Sequence, residues 1–349
     1  MHRTSLPIKP IDTSKFYVIA VISNPVRYRV RYDLYRRFAK HVTDSGARLI
    51  TVEAAFGNRP FEVTEANNPR HIQLRTNSEV WHKENMINIG ISRLPSDWEQ
   101  VAWVDADIAF VRPDWVQETV QQLQHYSVVQ LWSMAHDMLP NGVSFRTYNS
   151  FCYCYNQSIN MPYDAEVDNG PGVGGEVNNN GISAMRVPTG AAGEYMAGGS
   201  RPYWHSGYAW AARREAIDNL GGLIDWAVLG SGDHHMALAL IGEVDRSVPA
   251  QIGQRYKDCL KRWEANAEAY IKRNIGYVEG TIFHFWHGAK SKRRYNDRWK
   301  IITKHNYDPD LDLKQDWQGL HQLTDKNFRL RDDLRFYLRG REEDSIDPE

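Results

Sequence analysis

Residues 100–115 read QVAWVDADIAFVRPDW, and two carboxylates, Asp105 and Asp107, stand two apart at the end of an apolar run. The run itself, rich in Val and Trp, has the composition of a buried strand. In extended backbone residues i and i+2 project to the same side, so the pair is expected to face one point while Ala106 turns into the sheet. Adjacent carboxylates repel unless a positive group lies between them. A hard divalent cation would satisfy both, since it takes carboxylate oxygens and keeps positions free for further oxygen ligands. The plainer alternative is a polar strand end with one Asp turned into a loop.

The segments on either side alternate between strand and helix patterns. FYVIAVIS (16–23) is a continuous β-branched run closed by Asn24-Pro25, YDLYRRFAKHVTDSG reads as a helix closed by Gly46, and ARLITVEAAF as the next strand. In SEVWHKENMINIGISRLP, Val80, Ile87, Ile91 and Leu94 recur at helical spacing, with Ser78 placed to cap the start and Pro95 to end it. This alternation predicts an α/β layered sheet, with ligands bound beyond the carboxyl ends of its strands. Further on, YAWAARREAIDNLGG reads as one helix ending at Gly221-Gly222, and a long polar helix is expected over roughly 250–273. No composition shift marks a linker, so a single domain over 1–349 is expected. The charged tail beyond Asp308 is expected to wrap it, burying Trp317, Leu320 and Leu323.

Composition narrows the function classes. With 349 residues, 42% of them hydrophobic, the chain can bury a full core. The 42 Lys and Arg nearly cancel the 43 Asp and Glu, so no global field recruits nucleic acid or an anionic membrane. The N-terminus lacks a signal-peptide apolar region and no long apolar run follows, which predicts a cytoplasmic protein without a membrane partner. The three cysteines form neither a disulfide framework nor a zinc pattern.

Other candidate site residues lie along the chain. NPVRYRVRY follows the first strand, where Pro25 stiffens a turn and Arg27 and Arg29 project from it. TIFHFWHG brings His284 and His287 in an aromatic stretch, and one of them is expected to complete the metal sphere. KSKRRY, with Lys290, Lys292, Arg293 and Arg294, reads either as a solvated face or, just behind the histidines, as a group that could neutralise a departing diphosphate. GSGDHHM sets Asp233 at the entry of a helix, where a capping role is the plain reading. Only one of His234 and His235 can face the site beside it. Residues 162–203, dense in Gly and Asn, read either as a surface insertion or as a lid.

These pieces, in this order, resemble the metal-dependent glycosyltransferases of the GT-A fold, and among them the inverting β-galactosyltransferases. PVRYR is similar to their arginine-bearing turn, VWHKENMINIGI to a helix with a basic residue and an Asn-x-Gly step (Lys83, Asn88), DAD to their DxD motif, HSGYAWAARREAIDNLGG with GSGDHHM to their Gly-rich segment and acidic loop, and IFHFWH to their metal-binding histidine segment. The resemblance implies a Rossmann-like mixed sheet flanked by helices with a Gly-rich lid. It implies a hexosyltransferase that moves a sugar from a nucleotide diphosphate, UDP above all, to a hydroxyl acceptor with inversion.

The implied roles follow residue by residue. Asp105, Asp107, His284 and His287 would serve Mn²⁺ or Mg²⁺. Pro25, Arg27, Arg29, Lys83, Asn88, Asp105 and Lys290 would hold the nucleotide sugar. Asp233 would be the base, and Tyr203, Trp204, His205, Gly207 and His234 would form the acceptor side. Residues 16–130 would form the nucleotide-sugar and metal half, 131–308 the acceptor and catalytic half, and 309–349 the wrap. One departure stands out: where the family's loop carries Glu-Asp, this chain has Gly232-Asp233. A second resemblance, on the same helix and histidine segments and on LRDDLRFYLRGREEDSID, is to phage and bacterial glycosyltransferases proposed to decorate hydroxymethylated pyrimidines in DNA. A nucleotide-sugar binder without turnover needs only the DAD, His and Arg features, and stays open as well.

Overall fold

The computed structural model describes residues 11–159 and 204–347. β1 (Phe16–Ser23) is the β-branched run, and its side chains alternate between two apolar clusters. Tyr17 and Ile19 enter one, and Phe16, Val18, Ala20 and Ile22 the other. A strand buried on both faces has no polar side to show, which explains the unbroken apolar sequence. α1 (Arg29–Asp44) covers the second cluster with Tyr35, Phe38 and Val42. β2 (Arg48–Phe56) pairs parallel to β1, and β3 (His71–Thr76) parallel to β2.

α2 (Lys83–Ser92) starts later than Ser78. Val80 is drawn into the core, Glu79 is held by Arg335 and Arg339, and the Trp81 amide donates to the Val228 carbonyl, so residues 78–82 cannot wind into the helix. Gly90 sets the helix close to the sheet, since a Cβ there would lie 2.9 Å from Ile19 Cγ2 and 3.1 Å from Val52 Cγ2. β4 (Gln100–Val104) lies parallel to β1 on its other side.

After Val104 the chain leaves this sheet. Asp105 to Asp107 form a turn, and β5 (Ile108–Phe110) belongs to a second sheet. There follow α3 (Trp115–Gln122), β6 (Val128–Gln130), β7 (Met134–Met138), β8 (Ser144–Ser150), α4 (Phe151–Asn156), β9 (Trp204–His205), β10 (Ala209–Arg213), α5 (Arg214–Leu220), α6 (Gly232–Ala239), α7 (Gln254–Asn266), β11 (Ile275–Tyr277), β12 (Thr281–His284), α8 (Tyr295–Lys304), α9 (Pro309–Asp312), β13 (Leu313–Gln315), β14 (His321–Leu323) and α10 (Phe328–Arg339). The larger sheet has the order β11-β6-β10-β4-β1-β2-β3 and is mixed, because β10 runs antiparallel to both β4 and β6. The smaller has the order β5-β12-β7-β8-β9. The fold is thus α/β, with mixed sheets flanked by helices.

Three expectations need correction. YAWAARREAIDNLGG is not one helix: its first half is β10, in which Trp210 packs into one cluster and Ala209 and Ala211 into the other. Burial on both faces overrides alanine's helical preference there. The helix expected over 250–273 is α7 followed by a π-helical turn, Ala267–Ile271. In the tail Leu320 is buried, but Trp317 is 91% exposed. Among the described residues no helix is long and apolar enough to cross a membrane.

Candidate active site

The passage from β4 to β5 builds the centre of the site. β5 pairs antiparallel with β12, setting Ile108 opposite His284, and the Phe285 amide donates to the Asp107 carbonyl at 2.8 Å. This register carries Asp107 to the end of the histidine strand. Asp107, His284 and His287 offer ligand atoms that all lie within 4.8 Å of one another. His287 Nε2 is 3.1 Å from Asp107 Oδ2, and the two Nε2 atoms are 3.2 Å apart.

Partners fix the orientation of each group. His284 donates from Nδ1 to Asp137 Oδ1 at 2.6 Å, which leaves its Nε2 lone pair facing Asp107. Asp137 also accepts from the Tyr208 hydroxyl at 2.9 Å and pairs with Lys290. Burial would raise the Asp137 carboxyl, but Lys290 and His284 hold it well below the usual range. Burial lowers His284 and favours the neutral ring a metal ligand must be. Arg293 donates to His287 Nε2 at 3.0 Å. Burial opposes ionisation of Asp107 too, yet His287, His284 and Arg293 keep it ionised. Among the described residues its Oδ1 is buried without a hydrogen-bond partner, 3.9 Å from His284 Nε2. A carboxylate with one oxygen toward each of two imidazole nitrogens is a donor set that fits a divalent cation.

Asp105 does not join this set. The turn breaks the two-residue alternation, and Asp105 Oδ1 lies 2.5 Å from Lys83 Nζ. Burial would lower Lys83, but Asp105, Glu84 and Asp233 together hold it above its ordinary value. Both histidines stand at the centre, each with a ring nitrogen in the Asp107 group.

A cavity of about 240 Å³ opens beyond the carboxyl ends of β1 and β4. Its wall includes Pro25, Lys83, Glu84, Asp105, Asp107, His205, Gly207, Tyr208, Asp233, His284, His287 and Lys290, joined by Arg31, Arg293, Arg298, Arg341 and Glu343. Asp233 is the second residue of α6, whose capping position is Ser231, so the carboxylate is not the cap. Its Oδ1 accepts from the His234 amide at 2.9 Å.

Several expected residues lie elsewhere. Arg27 pairs with Glu62 at 2.7 Å, and Arg29 is exposed beside Asp33 at 3.4 Å. Because α1 already begins at Arg29, the helical turn brings Arg31 into the cavity instead. Asn88 is a structural bracket: it donates to the Leu223 carbonyl and Asp225 and accepts from the Leu223 amide. Five residues beyond Lys83, it emerges on a different helix face. Trp204 is buried edge-on against Phe151 at 5.3 Å rather than offered to a sugar. His205 stacks on Tyr208 at 4.2 Å. His234 is outside the cavity wall, and His235 is a satisfied core residue between Ser247 at 2.7 Å and Tyr256 at 2.9 Å. Lys290 and Arg293 line the cavity, while Lys292 faces outward to Glu342 at 3.2 Å, so the basic run forms no continuous surface stripe. Tyr203 and the expected lid lie outside the described residues.

The sequence reading misses Asp137, Glu343 and the arginines Arg31, Arg298 and Arg341. Glu343, 1% exposed, pairs with Arg31 and with Arg341 at 2.7 Å, while Asp344 accepts from the first two amides of α1 at 3.0 and 2.8 Å. Two cations of the cavity wall crowd each other: burial and Arg341 lower Arg298 to about 10, against the pull of Tyr337.

No protein-family model matches the sequence, and no curated protein matches it. Among solved structures, the catalytic domain of Drosophila β1,4-galactosyltransferase 7 in complex with xylobiose is similar at 10% identity, over 90% of this chain and 96% of that one, with a TM-score of 0.37. A mutant of that enzyme in complex with manganese, UDP-Gal and xylobiose gives 11%, 90%, 97% and 0.35. A protein of Desulfovibrio desulfuricans assigned as a nucleotide-diphospho-sugar transferase gives 14% identity over 37% of this chain and 60% of that one, with a TM-score of 0.22.

Proposed function

We propose that the chain is a metal-dependent glycosyltransferase that moves a sugar from a nucleotide diphosphate, UDP in the first place, to a hydroxyl acceptor with inversion. The observation that carries this reading is the convergence, in one cavity, of the Asp107–His284–His287 set, a group of guanidinium and ammonium side chains, and Asp233. The same two-histidine, one-carboxylate set also holds iron in oxygenases. A ring of buried cations, however, suits a polyanionic ligand.

Asp107, His284 and His287 would hold Mn²⁺ or Mg²⁺, which when bound would draw charge from the diphosphate as it leaves. Lys290, Arg293 and Arg31 lie where they can neutralise the same phosphates. Asp233 would take the proton of the acceptor hydroxyl as its oxygen bonds the anomeric carbon and the bond from that carbon to the phosphate oxygen breaks. Attack from the side opposite the leaving group gives inversion.

Incubating the pure protein with a panel of nucleotide sugars and Mn²⁺, with and without EDTA, tests this reading. Metal-dependent consumption of one donor is expected. Binding without consumption, with or without simple sugar acceptors, would make the chain a nucleotide-sugar binder. Retention of hydroxymethylated DNA in low salt would reopen the modified-base acceptor.

A further inference from the structure

Glu84 has no part in the chemistry above, yet it is 4% exposed and lines the cavity beside Asp233. Its neighbour across the wall is Gly232. A Cβ at position 232 would lie 2.9 Å from both Glu84 Cγ and Glu84 Cδ, and 3.0 Å from the Ile224 carbonyl. Any larger residue there would expel the Glu84 side chain. The glycine immediately before Asp233 is therefore what admits a second carboxyl, delivered from α2 rather than from the loop that carries Asp233.

Among the described residues no ion pair is made by the Glu84 carboxyl. Its side-chain bond from Trp81 Nε1, at 3.1 Å to Oε2, is one a glutamine would accept equally. The ammonium of Lys83 is in contact with Asp105, and Glu84 and Asp233 stand near it as surplus carboxyls. A buried carboxyl without a dedicated cation is costly to keep. Burial, then Asp233 and Asp105 against the pull of Lys83, push Glu84 up to about 7. Near neutrality it can therefore either donate or accept a hydrogen bond.

We infer that Glu84 recognises the acceptor: it hydrogen-bonds one hydroxyl of a polyol and thereby presents a neighbouring hydroxyl to Asp233. This rests on the glycosyl-transfer reading and narrows it, since a carboxyl pair spanning two positions suits a sugar-like acceptor with vicinal hydroxyls rather than a molecule with one isolated hydroxyl.

The test uses the full chain, its preferred donor, Mn²⁺, and methyl pyranosides with their mono-deoxy analogues as acceptor probes. Glu84→Gln is expected to raise the KM of one methyl pyranoside by about tenfold or more, as loss of a hydrogen bond to a charged group does. The donor KM should move far less. Removing the hydroxyl that Glu84 holds should abolish the difference between variant and wild type. Glu84→Asp should recover part of the loss, and Glu84→Ala with Gly232→Glu, which returns the carboxyl from the opposite wall, should recover more than Glu84→Ala alone. If the wild type transfers sugar and Glu84→Gln matches it on every probe, this inference fails while glycosyl transfer stands. Equal rises in donor and acceptor KM, unrelieved in either rescue variant, would mean a structural role and also overturn it. If the wild type consumes no donor, the underlying reading fails and this one falls with it.

Discussion

The two ends of the cavity are built on opposite plans. At one end each group has a fixed partner: His284 is set by Asp137, Asp137 by Lys290 and Tyr208, and Glu343 by Arg31 and Arg341. At the other, Glu84, Asp105 and Asp233 share the field of the Lys83 ammonium. On the proposed function the first arrangement would hold rigid ligands for a cation. The second leaves Glu84 a buried carboxyl whose ionisation burial and its acidic neighbours oppose. On the same proposal the difference would separate what binds from what reacts.

Breaking the ordered end should cost the most. Asp107→Ala removes the carboxylate between the two imidazoles and is expected to lower donor turnover by about a thousandfold or more, as chelation would. Asp105→Ala should cost much less, because its oxygen faces Lys83. Equal losses in the two variants, read from initial rates at saturating Mn²⁺, would mean that the two carboxylates do share an ion.

Asp233→Asn removes a base and keeps its shape. A drop of about 10²–10⁴ in kcat is expected with donor affinity retained, the range for loss of a general base. Unchanged kcat would shift the base elsewhere. Asp137→Asn touches no ligand atom but weakens the orientation of His284. A loss of about 10–100-fold in metal affinity is expected, recovered at high Mn²⁺. A defect that no Mn²⁺ concentration relieves would show that Asp137 does more than orient the ring.

The smallest effect is on stability at the other end. Glu84 sits near 7 in the folded chain, above its ordinary value of 4.5, so the folded state binds the extra proton between those values. Stability therefore falls as pH rises through that window, and the cost is full above about pH 7. Glu84→Gln should stabilise the protein more at pH 8 than at pH 5, by about 2 kcal/mol in the difference. Thermal melts of both proteins at the two pH values read this directly. A difference independent of pH would mean that Glu84 is already ionised at pH 5.

Legibility followed the range of the forces involved. β1, α1 and β2 were readable because continuous burial and helical spacing are local patterns. β10 was not, since alanines turn into a strand only when sheets close on both sides of them. In the site, DAD and the two histidines were visible as residue types, but the split of Asp105 from Asp107 depends on where the chain changes sheets. Arg31 was hidden by a helix that begins earlier than the turn suggested. Asp137 in MAHDM and Glu343 in the tail carry no local signal, and only strand pairing and tail packing bring them to the histidines.

The central claim is that Asp107, His284 and His287 form a cation site that works beside Asp233. Its most direct test is Mn²⁺ titration followed by electron paramagnetic resonance, with UDP present, on wild type, Asp107→Ala and Asp233→Asn. One bound Mn²⁺ per chain is expected in the wild type and in Asp233→Asn, with binding lost in Asp107→Ala. Equal binding in the wild type and Asp107→Ala, or none in the wild type, would contradict it.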